Sequence, residues 1–223
     1  MAIRELLVTS SREQIFESLQ REDRPFPNAE LPTSYLPMVP LPDLSPFELR
    51  SLFIREAHKA ACVVHQAASY GDAFETILQV VGEDATISCW EPNQIPLPGL
   101  TEALAEAGIV CVGQDASVRV GLTGADAALA ATGSLVLSSG DGRYRSSSLL
   151  PPIHVAIVTM SQILPDLEKW WEQQKAGGLE QMRQASNIVI ITGPSRTADI
   201  AMQLVMGMHG PRELHIVLID DQV

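Results

Sequence analysis

Short apolar runs rich in β-branched residues alternate along the chain with stretches whose apolar residues recur at helical spacing. Cys62 to Ala67, Ala85 to Trp90 and Ile109 to Val112 read as strands. Between them, Asp72-Ala73-Phe74-Glu75 caps a helix that ends at Gly82, and Thr101 to Ala107 is a helix closed by Gly108. This alternation predicts an open, largely parallel sheet with flanking helices. The second half is richer in strand. Val118 to Leu122, Ser134 to Ser138, Ile153 to Thr159, Ile188 to Thr192 and Leu214 to Ile219 are β-like runs. The Ile188 run, apolar throughout, reads as a buried strand. Ser161 to Lys175 is expected to be a helix with Ile163, Leu167, Trp170 and Trp171 on one face, stopped by Gly177-Gly178. A further helix is expected after Thr192, with Ala201, Leu204, Val205 and Met208 as its apolar stripe.

Two capping boxes mark helix starts nearer the N-terminus. Ser10-Ser11-Arg12-Glu13 precedes Ile15, Phe16 and Leu19, and Ser45-Pro46-Phe47-Glu48 precedes Leu49, Leu52, Phe53 and Ala57. Between them lie Pro25, Pro27, Pro32, Pro37, Pro40 and Pro42, too dense for a helix interior or a central strand. Residues 1–44 are therefore expected to be a helix and a proline-rich arm, and residues 45–223 an α/β domain. The arm's Leu31, Tyr35, Leu36 and Met38 need a surface, on this domain or on another chain.

Composition narrows the function classes. The chain has 223 residues, 46% of them hydrophobic, which suits one α/β domain with an extension. A net charge of −12 argues against general binding to nucleic acid or an anionic membrane. No apolar run reaches membrane-spanning length, and Met1-Ala2-Ile3-Arg4-Glu5 opens no secretory leader, so a cytoplasmic protein is expected. Cys62, Cys89 and Cys111 sit in apolar segments, at spacings that fit neither a disulfide framework nor a zinc or iron–sulfur motif. They read as buried thiols, and no metal or cofactor is expected in this chain. His58, His65, His154 and His215 read as structural imidazoles.

Four stretches combine turn residues with hydroxyls or charges. They are Gly121-Leu122-Thr123-Gly124-Ala125-Asp126, Ala130-Ala131-Thr132-Gly133-Ser134, Gly142-Arg143-Tyr144-Arg145-Ser146-Ser147-Ser148-Leu149-Leu150-Pro151 and Gly193-Pro194-Ser195-Arg196-Thr197-Ala198-Asp199-Ile200. Met208-His209-Gly210-Pro211-Arg212 follows the last of these. Read as a strand entering a helix, the Gly193 stretch offers backbone N–H groups and Arg196 to a phosphate or carboxylate. The alternative is that Ser195 or Thr197 only caps the helix and Asp199 complements its dipole. Each of the other stretches has its own plain reading as a turn, a cap or a solvated loop. In an open α/β sheet, loops at the strand C-termini meet in one crevice, which would bring these stretches together.

The order of these motifs, from Gly121 through Thr132-Gly133-Ser134, Arg145, Leu149-Leu150-Pro151 and His154 to Gly193–Ile200 and Gly207–Pro211, resembles the lactate-utilisation protein C (LUD-domain) family over roughly residues 50 to 223. The resemblance implies a fold similar to the sugar-phosphate isomerase and CoA-transferase superfamily, with a β-rich insertion. It also implies a part in oxidation of L-lactate to pyruvate, with iron–sulfur clusters carried by partner proteins. Many relatives carry a carboxylate immediately before the second Thr-Gly, where this chain has Ala131. A base or nucleophile there, such as a glutamate provides in CoA transferases, is absent, which favours a binding or scaffold role. The expected ligand-binding set is Thr123, Gly124, Thr132, Gly133, Ser134, Gly193, Ser195, Arg196, Thr197 and His209 around a small anion, with Arg145 as a second cation and Asp199 steadying the loop. Asp126, Asp199 and His209 are the acid/base candidates should the chain be an enzyme on a sugar phosphate or acyl-CoA. A metabolite-sensing module is the third reading.

Overall fold

The computed structural model describes residues 10–21, 41–115, 117–198 and 204–221. Helix α1 (Ser11–Arg21) belongs to a separate N-terminal unit. Its capping box forms as expected: Ser10 N–H donates to Glu13 Oε2 at 2.7 Å, and Glu13 N–H donates to Ser10 Oγ at 3.3 Å. The proline-rich stretch 22–40 lies outside the described residues.

From Leu41 onward the described chain forms one compact unit. Its helices are α2 (Pro46–Lys59), α3 (Tyr70–Val81), α4 (Leu100–Glu106), α5 (Leu167–Ala176) and α6 (Glu180–Gln184). Its strands are β1 (Val63–Ala67), β2 (Thr86–Cys89), β3 (Val110–Val112), β4 (Val120–Thr123), β5 (Ala127–Leu129), β6 (Ser134–Ser139), β7 (Ile153–Thr159), β8 (Ile163–Leu164), β9 (Asn187–Ile191), β10 (Arg196–Ala198), β11 (Leu204–Met206) and β12 (Glu213–Ile219). The Ser45–Glu48 capping box starts α2 and aims Leu52, Phe53 and Ala57 into the core.

Among the described residues, six strands make a wholly parallel sheet in the order β1-β12-β7-β4-β2-β3. Val155 to Val158 of β7 and Ile216 to Ile219 of β12 are buried, as both-face coverage requires of central parallel strands. Ala73, Ile77 and Val81 of α3 and Leu100 and Leu104 of α4 join the same core. The second, β-rich sheet, β8-β5-β6-β9, is drawn from the chain on both sides of β7, between β4 and β12; β6 pairs antiparallel with both β5 and β9. Trp170 of α5 closes a smaller cluster against Ala127, Leu129 and Val136.

Several local expectations are corrected. Helix α3 is capped by Ser69, whose Oγ accepts the Asp72 N–H at 3.1 Å, one turn earlier than expected. The 161–175 helix begins only at Leu167, capped by Asp166. Pro165 disfavours helical backbone at Leu164, and Ile163–Leu164 instead pairs with β5. The Ile188 run is a half-buried edge strand of the second sheet, with Ile190 44% exposed. The helix expected after Gly193 is replaced, in the described part, by the antiparallel pair β10–β11. Here the Ser195 carbonyl accepts the Gly207 N–H at 2.9 Å, across the hairpin rather than along a helix. Residues 199–203 lie outside the described residues. Short β5 and α6 carried too little periodicity to be expected.

Candidate functional site: a cleft over a buried histidine

Register builds the floor of the site. Parallel pairing sets His154 of β7 beside Gly121 of β4 and Leu214 of β12, so these residues share one face of the sheet with Thr123. Gly121 has no side chain for a steric reason. A Cβ there would overlap the Ser147 carbonyl, because the 3-10 turn Arg145–Ser148 packs directly onto β4. Beneath that cover His154 is fully buried. Its Nε2 lies 2.9 Å from Thr123 Oγ1, and its Nδ1 has no hydrogen-bond partner. Burial pushes its pKa down to about 3, so the imidazole is neutral throughout the physiological range.

A cleft of about 330 Å³ lies over this histidine. Ser148 and Leu149, the segment from Ile190 to Arg196, the turn His209–Pro211, and Leu214 line it together with His154. Each segment is held by identifiable contacts. Gly193 has φ +82°, and a Cβ there would overlap the Ala60 carbonyl at the end of α2. The Arg196 guanidinium donates to that same carbonyl through Nη2 at 2.9 Å. Ser195 N–H donates to the Pro211 carbonyl at 2.8 Å, and Ser195 Oγ accepts the His209 N–H at 3.3 Å. A hydroxyl chain, Thr132–Ser134–Thr192, reaches the cleft from the second sheet with steps of 2.7 Å each.

The expected site residues divide accordingly. Gly193, Ser195, Arg196 and His209 line the cleft. Thr123 stands behind His154, and Thr132 and Ser134 connect through Thr192. The others do not meet there. Gly124 packs on Gln94 and Pro96, and Gly133, at φ +66°, packs on the α2 backbone at Ala57. Thr197 pairs with Val205 in the hairpin, and Arg145 is exposed and does not line the cleft. Asp199 lies outside the described residues. Asp126 is not available as an acid or base. It is held by Arg143 Nη1 at 2.7 Å and by the Ser138 N–H, and its side chain is only 5% exposed.

The location also corrects an expectation. The cleft stands at the N-terminal ends of β7 and β12, where His154 and Leu214 lie, rather than in a crevice at the strand C-termini. Among the described residues no helix N-terminus lines the cleft; the polar groups are Arg196, two imidazoles and hydroxyls. In the sequence His154 belongs to the motif series but reads as a structural residue. Its only local signal is its position immediately after Pro151-Pro152-Ile153 at a strand start.

Elsewhere His65 and His215 stack with centroids 5.3 Å apart, and His65 Nε2 lies 3.0 Å from His215 Nδ1. Burial first, and then His215, hold the His65 pKa below its ordinary value. Cys62 and Cys89 are buried, but Cys111, on the edge strand β3, is only half-buried. Burial pushes the Cys62 thiol up to about 11. Among the described residues no group of three or more His, Cys, Asp or Glu side chains is arranged to hold a metal ion, and no helix is long and apolar enough to cross a membrane.

Fold and cleft define an α/β domain with a parallel main sheet, a β-rich insertion and a polar cleft between them. Residues 100–219 match the LUD domain, and the chain belongs to that family. A lactate utilization protein C of a Geobacillus species is 31% identical over 193 residues, covering 75% of this chain and 78% of that protein. A lactate utilization protein C of Macrococcus caseolyticus is 42% identical over 104 residues, 47% of this chain. In that relative and in one from Halalkalibacterium halodurans the match spans 45% of the relative's length, a little under half. Among solved structures, a DUF162 family protein from Deinococcus radiodurans shares the fold with a TM-score of 0.60 at 21% identity, covering 79% of this chain and 99% of that one.

Proposed function

We propose that this chain is a cytoplasmic subunit of an L-lactate utilisation system, in which iron–sulfur partner proteins carry the electron chemistry, and that its cleft binds a small anionic metabolite. The names of the relatives support the setting. One structural observation carries the ligand reading: the Gly193 turn, His209 and Arg196 line one cleft, and among the described residues no carboxylate lies within ion-pair distance of Arg196. A cation with no ionic partner among the described residues, beside hydrophobic walls, suits a carboxylate. A stand-alone enzyme on a sugar phosphate or acyl-CoA fits less well, because Ala131 has no acid/base group and Asp126 is tied up by Arg143.

Calorimetric titration with L-lactate, pyruvate and inorganic phosphate tests the ligand reading. Binding of at least one is expected, and Arg196→Ala is expected to weaken it by about 1.5–3 kcal/mol, the scale of a hydrogen bond to a charged group. Unchanged affinity in the variant removes Arg196 from the site. Purification of the native complex tests the setting: subunits without iron–sulfur clusters would contradict it.

A further inference from the structure

We propose that His154 Nδ1 is a ligand contact that hydrogen-bonds an uncharged hydroxyl or oxo oxygen on the bound acid, and so selects oxygenated carboxylates over plain ones. This rests on the anion-cleft reading above. Three observations point the same way. His154 is fully buried, it lines the cleft, and its Nδ1 is a polar atom without a partner. Buried polar atoms in native folds are nearly always paired, so an orphan that is itself shielded from solvent, on a residue lining a cavity, marks a bond that a ligand atom entering beside the ring would complete. The ring is not free to turn away and satisfy itself, because Thr123 Oγ1 holds Nε2 at 2.9 Å and the 3-10 turn at Ser147 closes over β4.

The division of labour follows from charge. Arg196 is the cation on the cleft and takes the carboxylate. A neutral imidazole at the floor has no charge to offer and is suited to a neutral oxygen. Leu149, Ile190, Ile191 and Leu214 supply apolar wall for the carbon skeleton.

The partner of Nε2 adds a second property. A threonine hydroxyl both donates and accepts. When Thr123 donates to Nε2, the proton resides on Nδ1, which then donates to an oxo oxygen. When Nε2–H donates to Thr123, Nδ1 accepts from a hydroxyl. Exchange of the imidazole between its two neutral tautomers, the ring proton leaving one nitrogen as the other gains one from solvent or ligand before the cleft closes, with the Thr123 hydroxyl rotating to match, therefore lets the same floor hold a hydroxy acid and its oxidised oxo counterpart with no change in net charge.

The test uses three acids of equal carbon number: L-lactate, pyruvate and propionate. Binding to the full chain is measured by calorimetry, with the His154 side-chain ¹⁵N signals followed by NMR. L-lactate and pyruvate are expected to bind about tenfold more tightly than propionate, the worth of one well-made hydrogen bond. The Nδ1 signal should take the protonated position with pyruvate and the unprotonated position with L-lactate. His154→Phe should bring the three affinities within about twofold of one another and leave propionate within about threefold of the parent. Should that variant fail to fold, the parent's Nδ1 signal decides, because saturation with both oxygenated acids and no shift overturns the proposal. Equal, Arg196-dependent affinity for all three acids also overturns it while leaving the anion cleft intact. Binding of none of the three removes both.

Discussion

Thr123 and Asp126 stand three residues apart in one motif, and the structure uses them in opposite ways. Asp126 ends in a closed latch. Its carboxylate accepts from Arg143 and from the Ser138 backbone, while Arg143 also donates to Gln94 Oε1 at 2.9 Å and lies over the Trp90 ring. Thr123 ends in an open pair, where its hydroxyl orients His154 and the far nitrogen is left without a partner at the floor of a cleft. Both are polar groups at strand ends, Thr123 at the end of β4 in the main sheet and Asp126 just before β5 in the second. What separates structural from functional use is whether every donor and acceptor is satisfied within the fold.

Breaking the closed latch should cost the most. Asp126→Ala leaves the Arg143 guanidinium without its carboxylate and the Ser138 N–H without its acceptor, and a loss of about 3–4 kcal/mol is expected in urea unfolding, as for other largely buried pairs deprived of one member. A loss below about 1 kcal/mol would make the latch dispensable and erase the contrast.

The open pair should instead appear as a pH dependence. The folded pKa of His154, about 3, lies below the unfolded value near 6.5. Protons then bind the unfolded chain preferentially between these values. The stability tied to the neutral ring is complete above about pH 6.5 and declines as pH falls toward 3, by up to about 1.4 kcal/mol per unit. Between pH 6.5 and 4.5 the parent should thus lose about 2–3 kcal/mol more than His154→Phe. Parallel stability profiles for the two proteins would show that the imidazole is not buried as described.

The smallest effect is expected from removing the open pair altogether. Thr123→Val combined with His154→Phe replaces both members by apolar groups of similar shape, and at pH 7.5 stability should change by no more than about 1 kcal/mol. A loss comparable to that of Asp126→Ala would make the two pairs alike and His154 a structural residue after all.

Much of the frame was legible in the chain. Ser45 and Glu48 announced α2, and the run Ile153 to Thr159 marked β7 to the residue, because capping chemistry and central parallel strands are written locally. The Gly193 stretch was legible as part of a cleft, but through a helix N-terminus rather than the contacts that hold it. Its glycine and arginine do line the cleft, yet both are fixed by the Ala60 carbonyl, a partner more than 130 positions away in sequence, and no helix N-terminus takes part in the described residues. The place of His154 in the lining of the cleft was not legible. Its meaning depends on the register that sets it beside Gly121 and on the absence of a partner for one atom, and neither is a property of local sequence.

The central claim, that the cleft between the Gly193 turn and His154 is the anion site, is tested most directly by mapping backbone amide shifts during titration with L-lactate and pyruvate. Shifts should concentrate at Gly193, Ser195, Arg196, His209 and Gly210, with the His154 ring following at saturation. Shifts confined to the opposite edge of the sheet, around Thr159, Ser161, Asp220 and Asp221 where the strands end, would contradict it.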